Sequence, residues 1–130
     1  MPESVTVRED AQVIQVNSWG EITIEDLQES LNAIVEIHRE RGYTRILVDA
    51  TREQSLPSTT QIFDFASQIA EYLSGMKLAV AISKRTQTDL QFIETVARNR
   101  GMQMTLHDSI DSALSWLARE PPGGDAYAQT

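Results

Sequence analysis

Few side chains in this sequence could do chemistry, and their types close off most of the usual routes. Cysteine is absent, which removes a thiolate nucleophile, thiolate zinc sites, iron–sulfur clusters and disulfides together. The two histidines, His38 and His107, make a poor metal set without sulfur ligands. His38 lies on the apolar face of a helical stretch, where a ring more often packs and bonds a nearby carbonyl than abstracts a proton. Asp49 and Asp108 each end an expected strand, at the edge where open α/β sheets bind ligands. Together they could act as acid and base or hold magnesium. Separately, Asp108 can cap a helix and Asp49 can bond the loop that follows it. A hydrolase or transferase using Asp49, Ser58 or His107 would need an activated serine, and the chain has no serine with a glycine elbow and a spaced histidine. Lys84-Arg85 precedes a helix start and could meet an anion, but no glycine-rich phosphate loop lies beside it. These residues give no catalytic assignment, no metal and no cofactor.

Charge narrows the partners. The 130 residues include 11 basic and 19 acidic side chains, a net charge of -8. Such a surface repels phosphate backbones and anionic headgroups, so nucleic acid is not an expected partner. No apolar stretch reaches the roughly 18 residues of a membrane span, so stable membrane insertion is not expected. The opening MPESVTVRED lacks the apolar run of a signal peptide, and the expected location is the cytoplasm.

The elements that would position these side chains alternate along the chain. Val5 and Val7, then Val13, Ile14 and Val16, alternate with polar residues and read as two strands joined across Glu9–Ala11, closing at Trp19-Gly20. Thr23 and Asp26 form a capping-box pattern ahead of Leu27, Leu31, Ile34, Val35 and His38, with Gly42 at the helix end. Arg45-Ile46-Leu47-Val48-Asp49 is the continuous apolar run of a strand covered on both faces. Ser58 and Gln61 open a second helix through Leu73, and Gly75 stops it. Leu78 to Ile82 is another buried strand. A third helix begins near Thr86 or Thr88 and stops at Gly101, and Met102, Met104 and Leu106 alternate as an edge strand. Asp108 or Ser109 caps a last helix bearing Ile110, Ala113, Leu114 and Leu117. Arg39, Arg41, Arg98 and Arg100 sit at helix ends, where the macrodipole favours cations. The expected fold is α/β in the order β-β-α-β-α-β-α-β-α: a mostly parallel, mixed five-stranded sheet packed with four helices. One domain spans residues 1–119, and residues 120–130, with Pro-Pro-Gly-Gly, read as a flexible tail.

That order, together with particular segments, resembles a known group. The closing Leu106-His107-Asp108-Ser109-Ile110-Asp111-Ser112-Ala113-Leu114-Ser115-Trp116-Leu117 looks like the STAS-type domain of anti-sigma-factor antagonists. Gly20-Glu21-Ile22-Thr23, the strand from Ile46 to Asp49 and the stretch from Met76 to Ile82 resemble more closely the SpoIIAA-like (STAS/SEC14) group of small bacterial proteins. The resemblance covers residues 5–118 and implies a binding or regulatory module without enzymatic chemistry. A protein partner or a small apolar ligand is its implied target. Antagonists of that type carry an Asp-Ser-Ser-Gly-like turn with a phosphorylated serine before the second helix. Here the turn reads Leu56-Pro57-Ser58-Thr59-Thr60. Ser58 matches the phosphoacceptor by position, and the flanking acid and glycine are replaced.

The second helix offers the strongest functional lead. At about 100° per residue its apolar positions, from Tyr72 round to Phe63, span about half the circumference, wider than packing on one sheet needs. Its excess edge must meet a neighbouring helix, a second subunit or an apolar ligand. The expected ligand or partner surface is Ser58, Thr59, Ile62, Phe63, Phe65 and Tyr72, with a homodimer as one way of covering it. The alternative is a carrier of lipid or another apolar molecule that docks transiently on membranes.

Overall fold

The computed structural model describes residues 3–84 and 87–119. Arg85, Thr86 and the segment expected as a tail lie outside the described residues. Strand β1 (Glu3–Arg8) pairs antiparallel with β2 (Val13–Glu21). The turn between them is one residue longer than the sequence suggests, and it closes on Gln12 at a positive φ of 56°. Helix α1 (Ile24–Arg41) opens on the capping box, with the Thr23 hydroxyl accepting from the Asp26 amide at 3.2 Å and the Asp26 carboxylate accepting from the Thr23 amide at 2.9 Å. It ends at Gly42, whose φ of 75° a side chain would resist.

Strand β3 (Arg45–Ser55), α2 (Thr59–Tyr72), β4 (Lys77–Ile82), α3 (Gln87–Asn99), β5 (Gln103–His107) and α4 (Ile110–Ala118) follow among the described residues. The sheet order is β1-β2-β3-β4-β5, with every pair after the first parallel. Strands added one after another in a constant direction, each through a crossover of the same hand, leave their helices on one face. Accordingly α1, α2 and α3 cover one side, where Ile14, Val16, Ile46, Ala50, Leu78 and Val80 meet Leu31, Ile34, Phe65, Ile69, Leu90 and Ile93. After β5 no crossover remains, and α4 folds onto the other side, with Ala113 and Leu117 against Val13, Leu47 and Ala79. Coverage of both faces explains the unbroken apolar runs of β3 and β4.

The departure that matters most lies in β3. It runs six residues past Asp49, and Asp49 therefore does not end a strand as expected. Asn17 pairs with Asp49, but Trp19 pairs with Arg52, so β3 holds one extra residue between two ladder positions. Such a bulge reverses the alternation of the side chains that follow it. Ile46, Val48 and Ala50 face the three helices before the bulge, and Glu53 joins them after it.

Candidate ligand-binding site

Between the sheet and the three-helix layer lies a cavity of about 90 Å³. Its walls are apolar: Val16, Val48, Ala50, Leu78 and Val80 from the strands, and Leu27, Leu31, Phe65, Ile69, Leu90 and Ile93 from the helices, among others. Glu3, Ser30 and Glu53 are its polar lining, and no lysine, arginine or histidine borders it among the described residues. The fold brings these groups together from separate elements. Glu3 of β1 stands directly opposite Ser18 of β2 in the antiparallel ladder, so the two side chains share a face. Ser30 reaches them from the buried side of α1, and the β3 bulge turns Glu53 inward beside Gly20.

Ser18, Ser30 and Glu53 are the buried polar residues among those described, with Glu53 only 5% exposed. Both serines donate to Glu3, Ser18 to one carboxylate oxygen and Ser30 to the other. The Ser18 hydroxyl also lies near Glu53. Burial pushes the Glu3 carboxyl above its ordinary range, against the two serine donors that hold it down. Burial, then the nearby Glu3 charge, pushes Glu53 up to about 8, with the nearby Ser18 hydroxyl opposing and Asp49 adding a smaller push. Glu53 is therefore mostly a neutral acid near pH 7. Its Oε1 is buried and has no hydrogen-bond partner, a deficiency native cores rarely carry without a reason. Glu53 also lines an open polar depression with Thr51, Arg52, Gln54 and Ser83, and the Ser83 hydroxyl there is likewise buried without a partner.

The residues singled out in the sequence are distributed differently. Ile62 and Phe65 point into the core at 2% and 7% exposure, and Phe65 lines the cavity. They cannot share an outer surface with Phe63, which is 43% exposed, or Tyr72, which is 59% exposed. Phe63 instead meets the half-exposed Phe92 of α3, ring centroids 6.2 Å apart. Part of the wide apolar edge of α2 is thus covered by the neighbouring helix. Ser58 and Thr59 are exposed. The Ser58 hydroxyl accepts from the Gln61 amide at 3.3 Å, and the Gln61 side chain accepts from the Ser58 amide at 3.3 Å, the reciprocal bonds of a capping box.

The candidate chemical groups resolve into local structural bonds. His38 Nδ1 donates to the Tyr43 carbonyl oxygen at 2.8 Å. Asp49 accepts from the Thr51 amide at 3.1 Å and the Thr51 hydroxyl at 2.7 Å. Ser109, rather than Asp108, caps α4. His107 lies 2.8 Å from the Ser112 hydroxyl through Nδ1 and 2.8 Å from the Thr105 hydroxyl through Nε2, with Trp116 packed beside its ring. A serine–histidine contact exists, then, but with Ser112 and not Ser58, and the second ring nitrogen faces a hydroxyl where a triad has a carboxylate. Burial lowers the His107 pKa, with Asp108 opposing. Lys84 is exposed after β4. Arg39 and Arg41, in the last turn of α1, pair with Glu36 at 2.9 Å and Glu9 at 2.6 Å. Among the described residues no group of three or more His, Asp or Glu could hold a metal ion. No helix there is long and apolar enough to cross a membrane.

A solved structure shares this architecture: an uncharacterised protein of the DUF3478 family with a SpoIIAA-like fold, from Shewanella loihica PV-4. The match covers 88% of this chain and 91% of that one, with a TM-score of 0.57 and 15% sequence identity. The fold is SpoIIAA-like. At that identity the likeness concerns the backbone and carries over no site residue. No family model matches the sequence, and no curated protein does.

Sequence reasoning missed Glu3, Ser18, Ser30 and Glu53. Ser18 and Ser30 are common polar residues with no motif around them. Glu53 reads as a solvated residue in the Thr51-Arg52-Glu53-Gln54-Ser55 stretch. The one available signal was Ser30, which falls on the apolar face of the first helix between Leu27 and Leu31.

Proposed function

We propose that this chain is a non-enzymatic binding module whose occupant is a small, largely apolar molecule held beneath α1, α2 and α3. The observation that carries the reading is the unpartnered Oε1 of Glu53, buried at the polar end of an otherwise apolar cavity. An apolar pocket with a few convergent polar groups and a strongly perturbed carboxyl is the usual form of a ligand site. The size bounds the ligand. An engineered cavity of about 150 Å³ accepts benzene, so about 90 Å³ suits a group of about four heavy atoms. Carriage of a full lipid would require the helices to separate, which makes the carrier reading the weaker one. A non-enzymatic role is supported by Asp49 and Ser58, whose side chains are occupied in local bonds.

The test is methyl-detected NMR of the purified chain titrated with small aliphatic compounds. Shifts confined to Val48, Ala50, Ile69 and their cavity neighbours support the reading, and their absence across alcohols, acids and amines of about four heavy atoms refutes it. A protein-contact role for the outer face is a second reading, favoured by the exposed Phe63–Phe92 pair with Tyr72 nearby on α2. Self-association as a homodimer is its simplest form.

A further inference from the structure

We propose that the occupant of this cavity carries an ammonium head: the site takes a small aliphatic amine, with its tail among the apolar walls and its nitrogen donating to Glu53. The inference rests on the ligand-binding reading above and assigns the chemical class of the ligand. Three features of the lining point to it. Two carboxyl groups, Glu3 and Glu53, stand at one end of the cavity, and no basic side chain borders it among the described residues. Both lone hydroxyls within reach, Ser18 and Ser30, already donate to Glu3. The remaining acceptor, Glu53 Oε1, is buried without a partner. A carboxyl oxygen without a partner, in an acidic pair with no cation among the described lining residues, calls for a head that both donates and carries positive charge.

The other head groups fit less well. A carboxylate would place a third acid beside two others with no basic side chain among the described lining residues, and like charges in a poorly hydrated site repel strongly. A hydroxyl could donate to Glu53 but would bring no charge to offset the half-buried Glu3 carboxyl. An ammonium supplies several donors and the missing charge together. Glu53 also borders the depression lined by Thr51, Arg52, Gln54 and Ser83, so the carboxyl stands between the apolar cavity and the solvent side. Arg52 is exposed there, its guanidinium 5.8 Å from the Trp19 ring centroid, and it lines the depression and not the cavity.

Proton balance gives a second signature. The titratable groups acting on Glu53 are Glu3 of β1 and Asp49 of its own strand, and Asp26 of α1 acts on Glu3. All are acidic and raise the carboxyls they face. Glu53 is pushed up to about 8, so near pH 7 it holds a proton in the free protein. An ammonium bound at Oε1 favours the carboxylate and releases that proton to solvent. Amine binding therefore strengthens as pH rises toward about 8 and levels off above it, until the amine itself loses its charge.

The experiment compares three three-carbon probes on the full chain: propylamine, propanol and propionate. Cavity methyl shifts report binding, and calorimetry in buffers of different ionisation enthalpy reports proton release. The expected result is propylammonium binding at least tenfold tighter than propanol, no binding of propionate, and release of up to one proton per site near pH 7. Glu53→Gln should abolish the amine preference and the proton release while propanol still binds. Equal binding of amine and alcohol, preference for propionate, or amine binding without proton release in the unaltered protein would each overturn the amine assignment and leave the pocket standing. If none of the three moves the cavity methyls, the pocket reading itself fails. Proton release is read on the unaltered protein, so the assignment stays testable should Glu53→Gln not fold.

Discussion

Replacing Glu53 by glutamine should remove most of a destabilising pH dependence from this fold. Glu53 goes from an ordinary value of 4.5 to about 8 on folding, so between those values the folded chain binds a proton that the unfolded chain releases. A raised carboxyl leaves the fold at full strength below about pH 4.5 and weakens it as pH rises through about 8. Each pH unit in that window can remove up to about 1.4 kcal/mol, a ceiling of about 5 kcal/mol. Solvent at the neighbouring depression and local relaxation reduce the realised figure, and about 2 kcal/mol is the expected loss. Glutamine keeps the shape and cannot ionise. Urea titrations of both chains from about pH 5 to about pH 9 should therefore give curves that coincide at the acid end and diverge upward. Near pH 9 Glu53→Gln should be the more stable by about 2 kcal/mol, the opposite of the usual effect of altering a buried residue. Groups common to both proteins cancel in the comparison. Parallel stability curves across the range, or a variant less stable at every pH, would refute the account of Glu53 as a neutral acid in the fold.

Four further outcomes follow from the same structure. Ile69→Ala, which enlarges the cavity from the α2 side, should lower stability by about 2–4 kcal/mol in urea titrations and admit longer aliphatic tails. Ser58→Ala should lose about 1 kcal/mol by removing the capping bond, while Ser58→Asp, which also caps, should retain stability; a phosphorylation switch at Ser58 requires that Ser58→Asp also weaken a partner interaction. Phe63→Glu should leave thermal stability nearly unchanged because the ring is half exposed, and light scattering should show whether it weakens self-association more than Glu71→Ala does. The His107 ring protons should titrate in NMR below the ordinary histidine range, because burial disfavours the charged ring, and His107→Gln should remove that titration.

The alternating pattern of apolar runs and caps was enough to read the architecture. Continuous apolar β3 and β4 require cover on both faces, alternating β1 and β5 fit the edges, and Thr23, Gly42, Ser58 and Ser109 mark helix boundaries through bonds made within a few residues. Such signals are local, so the sequence carries them whole. Phe63 and Tyr72 were also legible as an apolar edge too wide for the sheet, although which neighbour would cover Phe63 was not.

The candidate site was set by contacts between distant parts of the chain. Glu3 meets Ser18 only through the β1–β2 register, and Ser30 only because α1 packs across that pair. Glu53 faces inward only because β3 continues past Asp49 and takes one extra residue before Arg52. In simple alternation after Ala50, residue 52 would face the helices and Glu53 the opposite side. A single inserted ladder position reverses that, and no residue type in Ala50-Thr51-Arg52-Glu53 announces it, because the bulge is fixed by pairing with β2. Local propensity thus placed the elements, while strand register decided which carboxyl they bury.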